Sequence, residues 1–400
     1  MRGTKDMAVA DGTGIADILT RIDEFYPLLQ DEAEDGERLR RPTPAVQQAL
    51  RDSGVFRILL PAELGGIEAS TSEIIDVIER LSHADASLGW LVRALAGETA
   101  NAGVYLEESG VAEVFADGSL PLVAGQCTAF TGRAVEVEGG YRISGSWQFA
   151  PGLSMATHVN LAVTTEAGER LVCVAPRWAL RVNDNWDMLG LRATASLDYS
   201  ADDVFVPERL AFRMARENIR RGSVVNRLSP ALVAGLGQAA WAQGVARRML
   251  DELRTLTQRK DPAEGAPVTS GEFFAEYARH FSHTRGTLAL LRETWRDNET
   301  TLALGEELSD EQETMSRLAA SLATRTALEI SQLVHRFAGA QVMRNSALQR
   351  FFRDSHAGTQ HRGSAHIVTQ QCGRMLSGTL PAGAHWGFFD LVVPGASPSA

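Results

Sequence analysis

The chain is 400 residues long, 44% hydrophobic, and carries a formal net charge of −11. That length divides into two or three substructures, and the acidic balance argues against a nucleic-acid partner, because neutralising phosphates takes a basic surface. No stretch approaches the ~18 consecutive apolar residues of a membrane span, and the opening MRGTKDMAVADGTG lacks the apolar core of a secretory signal.

The first part of the chain, to about residue 114, has a helical pattern. In ADILTRIDEFYPLLQ, the residues Ile18, Leu19, Ile22, Phe25, Tyr26 and Leu29 share one face. TPAVQQALRDSG opens with Thr43 as cap and Pro44 in the first turn, and stops at Gly54. STSEIIDVIERL carries Ser70 and Glu73 at capping-box spacing. Residues 1–120 read as an N-terminal helical domain.

The period then drops to two. GRAVEVEGGYRISGSW alternates on either side of Gly139 and Gly140, a hairpin signal. HVNLAVTTEAGERLVCVAP repeats the pattern around a turn at 166–169, and LDYSADDVFVP adds a strand closed by Pro207. Alternation over one contiguous block predicts a small antiparallel barrel or sandwich at 121–215.

Helices return from Ser223. ALVAGLGQAAWAQGVARRMLDELRTL and EFFAEYARHFSHTRGTLALLRETW are long and amphipathic, separated by the Pro- and Gly-rich connector RKDPAEGAPVTSG. SDEQETMSRLAASLATRTALEISQLVHRF opens on a second capping box, Ser309 and Gln312. Residues 216–378 read as a C-terminal four-helix bundle, and 379–400 as a tail, mostly loop, that packs on a neighbour or frays. The expected class is mainly α with a central β-domain.

Cys127, Cys173 and Cys372 are odd in number and scattered, which reads as reduced thiols of a cytoplasmic protein rather than a disulfide framework or zinc site. RFFRDSHAGTQHRGSAH sets His356, His361 and His366 five residues apart. A metal cluster, a solvated helix face, and a cofactor pocket with one reactive imidazole are the candidate readings. Five residues on a helix turn a side chain by roughly 140°, so the three would diverge, whereas zinc chelation from one helix wants four-residue spacing. No metal site is expected. GLGQAA at 235–240 fits the dinucleotide fingerprint G-x-G-x-x-A, yet it sits inside one long helical pattern with no second βαβ unit near. Small residues there suit close helix packing.

Four phrases in order along the chain carry a resemblance: FRILLPAELGG (56–66), GGYRISGSWQF (139–149), WDMLGLRATASLDYSADDVFVP (186–207) and ALQRFFRDSHAGTQH (347–361). They resemble the acyl-CoA dehydrogenase superfamily. Within it the chain looks most like the two-component flavin-dependent monooxygenases, of the p-hydroxyphenylacetate hydroxylase and dibenzothiophene monooxygenase type. The resemblance implies a homotetramer with flavin held between the β-domain and the C-terminal helices, a neighbouring subunit completing the pocket.

Dehydrogenase and oxygenase part company on residues. A dehydrogenase needs a carboxylate to take the substrate α-proton. Laid on RDSHAGTQHRGS, the family's glutamate falls on Arg362, and a second family location for that base falls near Arg227. A cation cannot accept that proton. The oxygenase branch resembles this chain in having a histidine at His361, where neutral imidazole suits proton transfer near neutral pH. It can deprotonate a phenol or amine, or manage the proton of a flavin hydroperoxide formed at C4a.

The resemblance carries further positions. Gln126 ends the VAGQ run that touches flavin, Trp186 lines the flavin ring, and Gly339 with Ala340 form a turn passing it. Arg259 matches an arginine that holds the phosphate, as a guanidinium suits. For Trp186 a sheet-edge packing role, and for Arg259 a surface role, remain alternative readings. Trp90, in DASLGWLVRALAG, faces substrate or belongs to the core. One departure is plain: the relatives carry a hydroxyl residue where this chain has Ala150 and Pro151 (FAPG), and proline lacks even the N–H. Ser154 or a backbone group is then left to hold flavin N5.

The implied function is a monooxygenase that uses reduced FMN (FAD possible) from a separate NAD(P)H-dependent reductase, and O2, on a small aromatic or heteroatom-bearing substrate. An acyl-CoA dehydrogenase and a non-catalytic interaction protein are the alternatives.

Overall fold

The computed structural model describes residues 14–116, 120–258, 267–388 and 390–394. Among these, six helices precede the sheet: α1 (Ile15–Asp31), α2 (Ala33–Leu39), α3 (Pro44–Ser53), α4 (Thr71–Ala84), α5 (Ala86–Tyr105) and α6 (Glu108–Val114). Strands follow as β1 (Val123–Gln126), β2 (Gly132–Val137), β3 (Gly140–Ala150), β4 (His158–Thr165), β5 (Arg170–Pro176), β6 (Arg181–Asn183), β7 (Leu197–Pro207) and β8 (Ala211–Phe212). Then come α7 (Pro230–Thr257), α8 (Gly271–Ala303), α9 (Asp310–Phe337), α10 (Ala347–Gly358) and α11 (His366–Leu376), and last the short strands β9 (His385–Trp386) and β10 (Leu391–Val392).

Local chemistry sets the helix ends. Thr43 Oγ1 accepts the N–H of Val46, Pro44 takes the first position, and Gly54 ends α3 at φ 84°. Ser70 with Glu73, and Ser309 with Gln312, close reciprocal capping boxes on α4 and α9.

The chain divides into two compact units. The first comprises Met1–Ala69, Leu91–Asp187 and Arg192–Arg227; the second comprises Ser70–Trp90, Met188–Leu191 and Leu228–Ala400. Helix α5 passes from the second into the first after Trp90.

The first unit is built on an eight-stranded sheet ordered β6-β7-β3-β2-β4-β5-β8, with β1 also on β4. Gly139, at φ 79°, turns β2 into β3 as an antiparallel hairpin. The sheet is mixed, and this corrects the antiparallel expectation. β1 and β2 both run parallel to β4, along successive stretches of one of its edges. Alternating polarity reports which face of a strand is buried and says nothing about its direction. The segment after Ala150 returns the chain to lay β4 beside β2 in the same sense. Trp147 fills the core, stacked on Tyr199 at 5.3 Å between ring centroids, its indole N–H on the Ala162 carbonyl at 3.0 Å.

In the second unit α7 packs against α4 and α9, and α8, α10 and α11 pack on α9. Gly244 lets α7 and α4 approach: a Cβ there would stand 2.4 Å from the Glu79 carbonyl oxygen. GLGQAA lies inside α7, a turn past its start, so no loop-to-helix phosphate cradle forms there. The described end of the chain is mostly loop with two short strands. β9 and β10 pair antiparallel, and Trp386 joins Val368 and Cys372 in a small core. The Trp386 N–H reaches Thr314 Oγ1 at 2.7 Å, and the Arg317 guanidinium lies 4.3 Å from its ring. One indole with both an apolar face and a donor ties this segment to its own unit.

Candidate functional site

Gly358, the last residue of α10, packs on Trp241, where nothing larger fits: a Cβ there would lie 2.1 Å from the Trp241 ring. His361 then caps the short turn Arg362–Ser364, its Nδ1 accepting the Gly363 N–H at 3.1 Å. A neutral imidazole held this way carries its proton on Nε2. Trp90, 9% exposed, stands edge-on to His361 with centroids 5.8 Å apart, and edge-on to Trp241 at 5.1 Å. Trp241 is itself anchored through its N–H to the Ala86 carbonyl at 2.9 Å. The structure therefore brings the buried Trp90 and the half-buried His361 together in one aromatic group.

Sequence reasoning missed the support beneath them. Gln238, within GLGQAA, donates to Ser364 Oγ, and Ser364 donates on to Thr324 Oγ1 at 3.3 Å. Gln238 is 2% exposed, and a lone glutamine among the small apolar residues of GLGQAA is the sequence signal that could have found it.

The three histidines stand on three elements: His356 in α10, His361 as a cap, and His366 at the start of α11. The single-helix argument for their divergence therefore does not apply, because the helix stops at Gly358. His356 Nε2 lies 3.2 Å from Ser331 Oγ. Arg362 is exposed and paired with Asp390. Two of the quoted phrases lock together: Asp354 Oδ1 accepts the Leu191 N–H at 2.5 Å, and Arg353 donates to the Leu189 carbonyl at 3.0 Å. Gly339, at φ 55°, and Ala340 open the exposed turn Gly339–Met343 after α9.

Within the sheet unit, Gln126, Pro151 and Trp186 gather around Phe149. The Gln126 amide donates to the carbonyls of Gln148 and Phe149 at 2.9 and 3.0 Å. Phe149 is forced to φ 60° and stays 50% exposed, its ring 6.1 Å from Trp186 and nearly perpendicular to it. The Trp186 carbonyl accepts from Arg40 at 3.3 Å. Pro151 opens the turn after β3, followed by Gly152 at φ 71°, whose N–H is taken by the Thr194 carbonyl at 2.8 Å. Ser154 Oγ is buried and has no hydrogen-bond partner. The half-exposed Phe149 ring offers a surface for a flat, ring-shaped cofactor, and Ser154, three residues past Pro151, carries an orphaned hydroxyl. Arg259 lies outside the described residues.

The same unit holds a buried polar cluster that sequence reasoning did not find. Glu98 Oε2 accepts from Cys127 Sγ and from Asn160 Nδ2, both at 2.7 Å. Burial pushes the Glu98 carboxyl above its usual range and pushes the Cys127 thiol well above its own. All three cysteines are free and buried.

Residues 236–365 match the family described as acyl-CoA dehydrogenase, C-terminal domain. The chain is 28% identical to an indole-3-acetate monooxygenase of Pseudomonas putida, over 95% of this chain and 97% of that protein. It is 26% identical to the flavin-dependent monooxygenase, oxygenase subunit HsaA, of Rhodococcus jostii, over 86% and 93%. The structure of XiaF from Streptomyces, in complex with FADH2 and glycerol, superposes with a TM-score of 0.83 at 22% identity, covering 93% of this chain and 98% of that one.

Proposed function

We propose that this member of the acyl-CoA dehydrogenase superfamily is the oxygenase component of a two-component flavin-dependent monooxygenase. It takes reduced flavin, FMN or FAD, from a separate NAD(P)H-dependent reductase, and oxygenates a small aromatic or heteroatom-bearing substrate. The reduced flavin supplies the two electrons with which dioxygen gives one atom to substrate and one to water. The single observation that carries the reading is His361, pinned by Gly363 and backed by Trp90.

His361 is the catalytic residue, presenting an Nε2 proton at a fixed orientation. Trp90 packs against that imidazole and shields it from water. Trp186 and Phe149 give the flavin ring an aromatic surface, Gln126 braces the strand end beneath it, and Ser154 offers the hydroxyl that Pro151 lacks. Gly339 and Ala340 pass the flavin, and Arg259 holds its phosphate.

The finer architecture follows the same reading: domains at 1–120, 121–215 and 216–378, a barrel-like sheet domain, a C-terminal four-helix bundle, a homotetramer, and a cytoplasmic location. No helix among the described residues is long and apolar enough to cross a membrane. The dehydrogenase alternative places its base on Arg362, a cation already paired with Asp390.

Purified protein supplied with NADH, FMN, oxygen and aromatic substrate should form no product until a flavin reductase is added. Turnover without reductase overturns the two-component reading. Failure to bind reduced FMN anaerobically points instead to a non-catalytic interaction protein.

A further inference from the structure

We propose that Gln238 is a positioning residue for His361, resting on the flavin reading above: its buried amide locks the turn whose backbone holds the imidazole in one orientation and one tautomer. The GLGQAA stretch thereby serves the site without binding a nucleotide.

That turn is slight by itself. The Ser364 N–H bonds the His361 carbonyl at 2.9 Å, and the Ala365 N–H bonds the Arg362 carbonyl at 3.0 Å. Such short-range bonds have poorer geometry than those of an α-helix. Toward solvent, Arg362 pairs with Asp390, but both side chains are exposed, and an exposed pair is worth little. Toward the core, Ser364 meets Gln238 of α7 and Thr324 of α9, both of them buried. The buried fastening is the stronger.

Its protons run one way. Thr324 Oγ1 donates to the Ala320 carbonyl at 2.9 Å, and a carbonyl can only accept. Thr324 is then left to accept from Ser364 at 3.3 Å, and Ser364 to accept from the Gln238 amide. This order turns Gln238 Nε2 to Ser364. Its Oε1 lies by Gly363, where an added Cβ would stand 3.1 Å from that oxygen and 3.3 Å from His361 Nδ1. Gly363 thus sits against both groups, and its N–H is the one that Nδ1 accepts. Removing the amide takes from Ser364 its donor and leaves the turn, Gly363 included, to the exposed pair.

Ring-nitrogen NMR on protein carrying isotope-labelled histidine tests this directly, with His361→Ala identifying the His361 signals. Gln238→Met keeps the bulk of the side chain and removes both of its hydrogen-bonding groups. In the unaltered protein the His361 signals should report a single neutral tautomer with its proton on Nε2. In Gln238→Met they should move toward the average of two tautomers. Unchanged ring signals overturn the proposal. Turnover gives a second readout, with reductase, NADH, FMN, oxygen and indole as the aromatic probe. Gln238→Met should lower product roughly three- to tenfold, the worth of one hydrogen bond, and leave affinity for reduced FMN unchanged. In a His361→Ala background the same substitution should cost less than about twofold, because residues that act as a unit do not add. An equal loss in both backgrounds, as a purely structural role would give, overturns the proposal. If Gln238→Met does not fold, Ser364→Ala removes the same bond from its other end and is read by the same rule. Absence of reduced-FMN binding or of indole turnover speaks to the flavin reading alone, and the ring signals then decide the role of Gln238.

Discussion

His361 Nδ1 accepts the backbone N–H of Gly363 at 3.1 Å, and this bond settles which nitrogen carries the neutral ring's proton. With Nδ1 engaged as acceptor, the outward nitrogen donates. As a neutral ring His361 is therefore set to donate a hydrogen bond from Nε2 rather than to take a proton from a phenol. His361→Ala should lower product formation by roughly 10²–10⁴-fold, the usual worth of a positioned acid–base group, with little change in affinity for reduced flavin. Product analysis alongside a flavin titration checks both. Near-normal coupled turnover would remove His361 from the chemistry.

Gly358→Ala tests the packing beneath that ring. The added methyl meets the Trp241 indole at 2.1 Å, and overpacking of this kind costs about 1–3 kcal/mol. Urea unfolding should show a lower midpoint, and tryptophan fluorescence should change because Trp241 and Trp90 touch. An unchanged midpoint would mean that α10 shifts freely to relieve the clash.

Ser154→Ala separates a structural hydroxyl from a ligand-binding one. A buried hydroxyl with no partner gives the folded chain nothing, so thermal stability of the flavin-free protein should hold or rise slightly. Flavin affinity should fall by roughly three- to tenfold, the value of one hydrogen bond. Unchanged flavin affinity would take Ser154 out of the cofactor site.

Pro151→Ser restores the hydroxyl found in the relatives. Hydrogen peroxide released in the absence of substrate should fall in this variant, provided the loop tolerates the loss of proline's fixed φ. Peroxide assays under identical flavin loading measure it. Equal or greater release would show that Ser154 or a backbone group already fills the role.

Three histidines of the helical unit give stability a pH dependence. Burial lowers His83, His280 and His356 from the ordinary value of 6.5. Each binds its proton more readily in the unfolded chain, so their contribution is complete above about pH 6.5 and is lost as pH falls through their lowered values. Glu98, raised by burial, acts in the opposite direction. The melting temperature of His356→Gln should therefore fall less between pH 7.5 and pH 5 than that of the unaltered protein. A parallel decline in both would show that other groups control acid unfolding.

The legible part of this chain was local. Capping chemistry at Thr43, Ser70 and Ser309 and the turn at Gly139 are decided by side chains within a few residues of one another, and each element formed where its signal stood. The illegible part was long-range. Nothing in the alternation of β2 and β4 states that they run parallel, and nothing in the spacing of His356 and His361 marks the helix end at Gly358 that lies between them. The Glu98 cluster joins residues 98, 127 and 160, none of which looks chemical by itself. Resemblance supplied His361, but not the Gly363 bond that sets its proton.

Gly244 has a bearing on attempts to re-engineer this protein. It sits on α7 six residues beyond Gln238, about 9 Å along the axis at 1.5 Å per residue, with Trp241 midway between them. One rigid rod thus joins the tight α4 seam to the two side chains that underlie His361. Directed-evolution libraries that spare the visible pocket but randomise that seam would not be silent. Variants selected there for heat tolerance would drift in catalytic behaviour, and screens should score both traits at once.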